Sequence, residues 1–148
     1  TAKGLCYALD KPLIGLSTLS TLVAAARTTP PPDRACWPMI DARRMEVFTQ
    51  AFDAQGRSIG DVIPVVLDAA WATEHAGVAV FGDGADKAAE LWTGRPGIEF
   101  IGGIRPHASA MFAEAELRFA EGRFDDLAYL VPEYGKAANV TQPKKQRT

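Results

Sequence analysis

The segment that decides the fold reads Pro38-Met39-Ile40-Asp41-Ala42-Arg43-Arg44-Met45-Glu46-Val47-Phe48. An apolar run ends in an aspartate, two arginines follow, and a second β-prone run begins at once. This pattern predicts two strands joined by a tight, charged turn. Because strand ends are where α/β proteins bind ligands and partners, we treat the charged residues of the turn as candidates for facing a partner or a nucleotide. The alternative is a surface hairpin with solvated charges. The candidates are Asp41, Arg43, Arg44 and Glu46.

Asp41 is expected to fix the shape of this turn. It ends an apolar, buried strand, where a carboxylate without a partner is costly. We therefore expect it to accept hydrogen bonds from Arg43, Arg44 or a backbone N–H group. At least one arginine then remains available to a partner, and Arg43 is the favoured one.

Composition describes a globular chain. Its 148 residues are 47% hydrophobic and 23% charged, and one domain with a sizeable core is expected. A net charge of −2 gives no general attraction to nucleic acid. No apolar run is long enough for a bilayer span, and no signal peptide is recognisable. Cys6 and Cys36 lie far apart without a CxxC motif, so two free, buried thiols in a reducing cytosol are expected, with a disulfide as the alternative.

The rest of the chain predicts a regular series of elements. A helix ends near Leu9, a short buried strand covers Leu13–Leu16, and a helix runs from Ser17 or Thr18 to Arg27. A proline-rich linker occupies residues 28–33. The order that follows is βββαβαβα in a mixed sheet: strands at Ala35–Asp41, Glu46–Asp53 and Asp61–Val66, a helix capped by Asp68 and ending at His75, a central strand Val78–Gly82, a helix Ala85–Trp92, a strand Ile98–Gly102 and a long amphipathic helix Pro106–Glu121.

The Gly82-Asp83-Gly84 turn is a second candidate site for a partner or nucleotide. It lies between a strand and a helix, where backbone N–H groups can hold a phosphate. The alternative is a tight turn capped by Asp83. His75 and His107 have no metal-ligand spacing and are expected to be structural, and no nucleophile motif is present. The sequence thus predicts neither catalytic nor metal-binding residues.

Two blocks resemble a known family. Ile40–Arg44 followed by Glu46–Phe48 resembles the "DAR…EVY" hairpin of the bacterial TsaB (YeaZ) family. Ala2–Leu5 followed by Pro12–Leu19 resembles that family's "AKGLAYAL…PLIGVSTL" segment, and Gly82-Asp83-Gly84 also fits. These proteins are glycoprotease-like dimerisation subunits of the machinery that makes threonylcarbamoyladenosine on tRNA.

The resemblance implies an α/β fold of the actin-like, ribonuclease H-like class. Residues 1–30 would be the end of a first lobe (helix, strand, helix) with a linker. Residues 31–135 would be the second lobe, with the βββαβαβα order, and residues 136–148 a basic, flexible tail. The family's "IDTS" and "GPGSFTGLRIG" motifs are not found, so the chain is interpreted as a fragment lacking most of the first lobe.

The resemblance also implies a function. The chain would be a non-catalytic scaffold subunit that supports a related catalytic, TsaD-like subunit, together with a TsaE-like ATPase. ATP with Mg would belong to the assembled complex and not to this chain, tRNA would be bound indirectly, no membrane would be involved, and the location would be cytoplasmic. The alternatives are a glycoprotease-like peptidase or hydrolase and a nucleotide-binding switch lobe.

The first helix is the predicted dimer interface, since family members use it to form homodimers and heterodimers. Its apolar residues recur at helical spacing and form one stripe. Without the first lobe to cover it, such a stripe is expected to drive self-association. The stripe consists of Ala2, Leu5, Cys6 and Leu9.

Overall fold

The computed structural model describes residues 1–27 and 33–133. Most of the predicted linker and all of the predicted basic tail therefore lie outside the described residues. The elements are α1 (Ala2–Ala8), α2 (Thr18–Ala26), β1 (Cys36–Asp41), β2 (Glu46–Phe52), β3 (Ser58–Val66), α3 (Ala69–Glu74), β4 (Val78–Phe81), α4 (Asp83–Lys87), α5 (Ala89–Trp92), β5 (Ile98–Ile101), a 3₁₀ turn (Ala108–Met111) and α6 (Phe112–Ala120).

The five strands form one mixed sheet in the order β3-β2-β1-β4-β5. The three neighbouring strands β1, β2 and β3 are antiparallel, whereas β4 lies parallel to both β1 and β5. In the β1–β2 hairpin Asp41 pairs with Val47, and in the β1–β4 pair Trp37 faces Val80. The predicted βββαβαβα order is confirmed.

Helices cover both faces of the sheet. On one face α2 packs its Leu22 and Val23 against Phe52 of β2 and Phe81 of β4. On the other face α3, α4 and α5 pack around Met39 and Val80, with Trp71 and Trp92 in the same cluster. The continuous apolar run of β4 is therefore covered on both sides, as expected for an interior strand. Residues on both sides of the predicted lobe boundary near residue 30 therefore pack in one cluster, since α2 precedes the boundary and β2 and β4 follow it. The boundary itself stays a prediction.

Local signals located several elements correctly. Ser17 is the N-cap position of α2. Asp68 caps α3, because its carboxylate accepts a 2.8 Å hydrogen bond from the Trp71 N–H. β3 begins three residues earlier than expected, at Ser58.

The predicted strand at Leu13–Leu16 is wrong. These residues are half-buried, and only Leu13 forms a bridge, with Asp125. The main chain of Gly15 is bound by side chains instead. Its N–H donates to Asp125 Oδ2 (2.7 Å) and its carbonyl accepts from the Arg118 guanidinium (2.6 Å). A ladder with a neighbouring strand is therefore replaced by side-chain contacts.

Two predicted helices are shorter or broken. The helix expected at Ala85–Trp92 starts earlier, at Asp83, and breaks at Ala88, whose φ of −102° and ψ of 20° interrupt the helix. The long helix expected at Pro106–Glu121 begins as a 3₁₀ turn and becomes α6 only at Phe112. Its apolar face is only partly covered by the described residues, since Phe112 and Phe119 are exposed.

The two thiols differ in accessibility. Both are free, but only Cys36 is buried, whereas Cys6 is half-buried, which corrects the expectation of two buried thiols. Burial raises the pKa of Cys36 to about 11. Because the thiolate is the reactive form, we expect a disulfide reagent such as DTNB to modify Cys6 and spare Cys36 in the native protein. Mass spectrometry after brief labelling checks this, and equal labelling of the two would contradict it.

Candidate functional site

The charged turn between β1 and β2 is tight, as the sequence predicts. The Ala42 N–H donates to the Glu46 carbonyl (3.0 Å), and the Glu46 N–H donates to the Arg43 carbonyl (3.1 Å). Arg43 and Arg44 have φ angles of 75° and 50°. Two successive non-glycine residues in the left-handed region carry a conformational cost, which the surrounding contacts must offset.

Asp41 does not have the environment expected of it. Its side chain is 45% exposed, and its charged partner is the Lys87 ammonium rather than an arginine. The same carboxylate oxygen accepts a 2.8 Å hydrogen bond from the Arg43 backbone N–H, which does fix the turn as expected. The hydrogen bond from Lys87, and then that from the Arg43 N–H, hold the pKa of Asp41 below its ordinary value. Within the described part of the chain, neither the Arg43 nor the Arg44 guanidinium has a hydrogen bond or an ion pair.

Helix α4 brings the two candidate segments together. Lys87 also donates to the Glu46 carbonyl (2.6 Å), so it contacts both strands of the hairpin. Asp83 accepts from the Asp41 N–H (3.2 Å) and from the Gly84 N–H (3.0 Å). The turn at Gly82–Gly84 and the hairpin therefore share one edge of the sheet, because β1 and β4 are parallel and end there. Sequence reasoning missed Lys87, although its position one helical turn after Asp83 was a usable signal.

Gly82 and Gly84 allow close packing, and their assignment as residues that face a partner or nucleotide stays a prediction. Both are buried. A Cβ atom at Gly82 would lie 2.3 Å from the Met39 carbonyl oxygen, and one at Gly84 would lie 2.7 Å from Val47 Cγ1. Asp83 is exposed, and its carboxylate would repel a phosphate at this turn.

A second ion pair lies on the same helix. Asp86 of α4 pairs with the Arg105 guanidinium and also accepts from the Gly103 N–H (3.1 Å). The hydrogen bond to Asp86 raises the pKa of Arg105. Counting this pair, the edge of the sheet carries four cationic and four acidic side chains and is electrically balanced: Arg43, Arg44, Lys87 and Arg105 against Asp41, Glu46, Asp83 and Asp86.

Helix α1 exposes the predicted apolar stripe. Leu5 is 58% exposed and Leu9 63%, Ala2 is exposed, and Cys6 is half-buried. None of the residues of α1 is buried. The helix is held by Lys3, whose ammonium donates to the carbonyls of Ala128 and Leu130, both at 2.9 Å. The adjoining segment exposes Tyr129 and Val131, so the apolar surface is larger than the stripe alone.

Asp125 joins residue 15 to α6. It accepts from the Gly15 N–H and pairs with Arg118 at 3.2 Å. The hydrogen bond from Gly15, with the nearby Arg118 charge, holds the pKa of Asp125 below its ordinary value of 3.8. A carboxyl whose pKa is lower in the folded than in the unfolded protein stabilises the fold fully at pH values above its unfolded-state pKa. That stabilisation is lost as the pH falls through the folded-state pKa.

We therefore expect Asp125→Asn to lower the free energy of unfolding by about 1–2 kcal/mol at neutral pH. In acid well below pH 3.8, where the wild-type carboxyl is protonated, the two proteins should melt alike. Thermal melts at both pH values check this. Asp61→Asn, at an exposed position of β3, is the control and should match the wild type at neutral pH. A deficit for Asp125→Asn that persists in acid would contradict the account.

An open groove of about 630 Å³ lies between α2, the β2–β3 turn and α6. Three arginines line it, but each is already bound to the protein. Arg27 donates to the Ala54 carbonyl, Arg57 pairs with Asp53, and Arg118 binds Gly15 and Asp125. The groove therefore offers a ligand no free, converging set of these charges.

The two histidines have structural contacts. His75 stacks on Trp71 with ring centroids 4.1 Å apart, and its Nδ1 lies 2.9 Å from the Trp71 carbonyl oxygen. His107 contacts the Ser109 hydroxyl at 2.7 Å. Among residues 1–27 and 33–133, no cluster of three or more potential metal ligands occurs. The same ranges contain no helix long and apolar enough to cross a membrane.

Comparisons with known proteins agree with the fold. A family model described as "TsaD: tRNA N6-adenosine threonylcarbamoyltransferase" matches residues 1–133. A search of curated proteins found no match. Among solved structures, the chain is similar to an uncharacterised Pseudomonas aeruginosa protein described as similar to peptidase YeaZ. The two share 26% identity with a TM-score of 0.67, over 90% of this chain and 63% of that one.

A second similar structure is YeaZ from Pseudomonas aeruginosa, at 25% identity and a TM-score of 0.67, over 90% of this chain and 64% of that one. The chain thus spans less than two thirds of the length of these relatives. Its five-stranded mixed sheet, covered by helices on both faces, is consistent with the same fold. The chain belongs to the TsaD family, within which it is a TsaB/YeaZ-like protein of the actin-like, ribonuclease H-like fold.

Proposed function

We propose that the chain is a non-catalytic scaffold or dimerisation subunit of the complex that forms N6-threonylcarbamoyladenosine on tRNA. It holds the related catalytic, TsaD-like subunit in an active arrangement, and a TsaE-like ATPase completes the complex in the cytoplasm. The family match over residues 1–133 and the similarity to YeaZ support this role. tRNA is bound mainly by the other subunits, in keeping with a net charge of −2.

The observation that carries the proposal is the exposed stripe of α1. Helix α1 buries none of its residues, and both Leu5 and the residue that follows the helix, Leu9, are exposed. Apolar packing within the chain therefore contributes little to holding this helix in place. Exposed apolar patches of this kind mark protein–protein contacts, because burying them against a partner removes apolar surface from water.

ATP with Mg belongs to the assembled complex in this proposal. The residues of this chain do not fit the nucleotide at the Gly82–Gly84 turn, where side chains of the core occupy the space next to Gly84. Helix α4 is also only five residues long, so its dipole is weak. We assign no step of the reaction to a nucleotide on this chain.

Reconstitution tests the proposal. The chain is titrated into the catalytic subunit, the ATPase subunit, ATP, Mg²⁺, an activated threonylcarbamoyl donor and unmodified tRNA, and modified adenosine is measured by mass spectrometry of digested tRNA. Product formation should rise until the chain and the catalytic subunit are equimolar, and the chain without the catalytic subunit should form none. Modification that is independent of the chain would refute the scaffold role.

The two alternatives have direct assays. A glycoprotease-like peptidase would cleave a glycosylated protein, and a switch lobe would bind ATP in isolation. We expect neither activity from the purified chain. Peptidase activity that persists through stringent purification and is abolished by a chelator would refute the scaffold role and show that the chain is an enzyme. A saturable calorimetric signal with ATP would favour the switch.

A further inference from the structure

The tip of the β1–β2 hairpin presents two arginines in a fixed shape. Left-handed backbone angles at Arg43 and Arg44 are uncommon for such residues, and a free turn would relax out of them. Contacts at the base of the hairpin hold this shape. Hydrogen bonds within the sheet contribute, from the Arg43 N–H to Asp41 and from the Leu67 N–H to the Met45 carbonyl. Helix α4 adds further contacts through Lys87 and Asp83.

Lys87 connects the two strands of the hairpin. Its side chain is only 18% exposed, and its ammonium contacts the Asp41 carboxylate on one strand and the Glu46 carbonyl on the other. It reaches both because Gly84 lets α4 lie directly against Met39 and Val47. A half-buried ammonium that binds a backbone carbonyl and a carboxylate is more constrained than a surface ion pair.

The residues at the tip have the composition of a protein interface. Arg43, Arg44 and the next residue, Met45, are all exposed, and arginine and methionine are both enriched where proteins contact each other. The guanidinium groups have no partner among the described residues, and a planar fork of donors suits carboxylates. Because the surrounding edge is electrically balanced, it lacks the basic field that a nucleic-acid site requires.

We infer that Arg43 and Arg44 form a clamp for the carboxylates of an acidic protein surface, and that Lys87 is the positioning residue that presents them. This inference rests on the proposed function insofar as the acidic surface belongs to the catalytic subunit. Lys87 acts through the shape of the hairpin and does not itself touch the partner.

The first measurement needs no partner protein. A polyglutamate peptide is titrated into the chain, and the side-chain Nε–H resonances of Arg43 and Arg44 are followed by NMR. These resonances should shift saturably in the wild type, and Lys87→Met should weaken the binding by about fivefold. Lys87→Arg should restore much of the binding. Absence of any shift in the wild type would refute the clamp.

The second measurement uses the catalytic subunit and a double-mutant cycle. Lys87→Met should weaken binding in the wild-type background and have no further effect once both arginines are alanine. Arg105→Met is the matched control, because it breaks an ion pair on the same helix without touching the hairpin. Equal losses for Lys87→Met and Arg105→Met, or an undiminished Lys87→Met effect without the arginines, would refute the positioning role.

The two measurements separate the inference from the proposed function. Saturable binding of polyglutamate without any binding of the catalytic subunit would refute the proposed function and leave the clamp standing. Binding of the catalytic subunit that is unchanged when both arginines become alanine would refute the clamp and leave the scaffold role standing. Loss of tRNA affinity in place of protein affinity would also refute the inference, in favour of a nucleic-acid contact.

Discussion

Replacing Gly82 with alanine is expected to destabilise the fold strongly. Gly82 has a φ of 102° and a ψ of 172°, a region that only glycine adopts without large strain. A Cβ atom would also lie 2.3 Å from the Met39 carbonyl oxygen. Strain and overlap together should lower the free energy of unfolding by about 3–5 kcal/mol. Denaturant unfolding followed by tryptophan fluorescence measures the change.

Gly60→Ala is the matched control for this prediction. Gly60 also has a positive φ, 68°, but no atom lies within 4 Å of the position its Cβ would take. Only the conformational cost remains, and the loss should be about 1 kcal/mol. Similar losses for the two variants would show that the contact with Met39 is unimportant.

Gly84→Ala gives a further check of the same packing. Its nearest obstacle is a side-chain atom, Val47 Cγ1 at 2.7 Å, rather than a carbonyl. Val47→Ala should therefore relieve part of the Gly84→Ala cost, whereas it should not relieve the Gly82→Ala cost. A double-mutant cycle for each pair would show the difference as a coupling energy.

The elements that were predicted correctly from the sequence are those marked by short local patterns, such as an apolar run or a helix-capping residue. The continuous apolar run at Val78–Phe81 indicated a strand covered on both faces, and the two packed clusters confirm it. Asp68 stands directly before a helix, and its carboxylate caps it. Such signals depend on a few neighbouring residues, so they survive without knowledge of the tertiary fold.

The predictions that failed concern contacts between segments that are far apart in the sequence. Leu13–Leu16 has the composition of a strand, but side chains of Arg118 and Asp125 bind the main chain of Gly15. Asp41 was expected to accept from Arg43, Arg44 or a backbone N–H, and the Arg43 N–H does donate to it, but its charged partner Lys87 is 46 residues away. Helix α4 can lie close to β1 because Gly84 has no side chain. The spacing of hydrophobic residues in the sequence does not predict this distance between the two elements.

Charging the α1 stripe should abolish self-association. In the double variant Leu5→Glu, Leu9→Glu, two exposed leucines that we predict to be buried between copies become carboxylates. Burying one leucine side chain contributes about 1.5–3 kcal/mol, so losing two should weaken association at least about 100-fold. The fold should be kept, because both side chains are exposed and Lys3 still binds the carbonyls of Ala128 and Leu130.

Size-exclusion chromatography with light scattering over a range of concentrations is the measurement. The wild-type mass should rise with concentration from the 15.9 kDa of one chain, and the double variant should stay at that mass. Ile59→Glu is the matched control, since Ile59 is 54% exposed on β3, away from the stripe, and should associate like the wild type. Because the apolar residues of the stripe are exposed in the isolated chain, the association should not require a catalytic partner. A wild type that remains monomeric at every concentration, or an Ile59→Glu variant as impaired as the double variant, would mean that the stripe has another role.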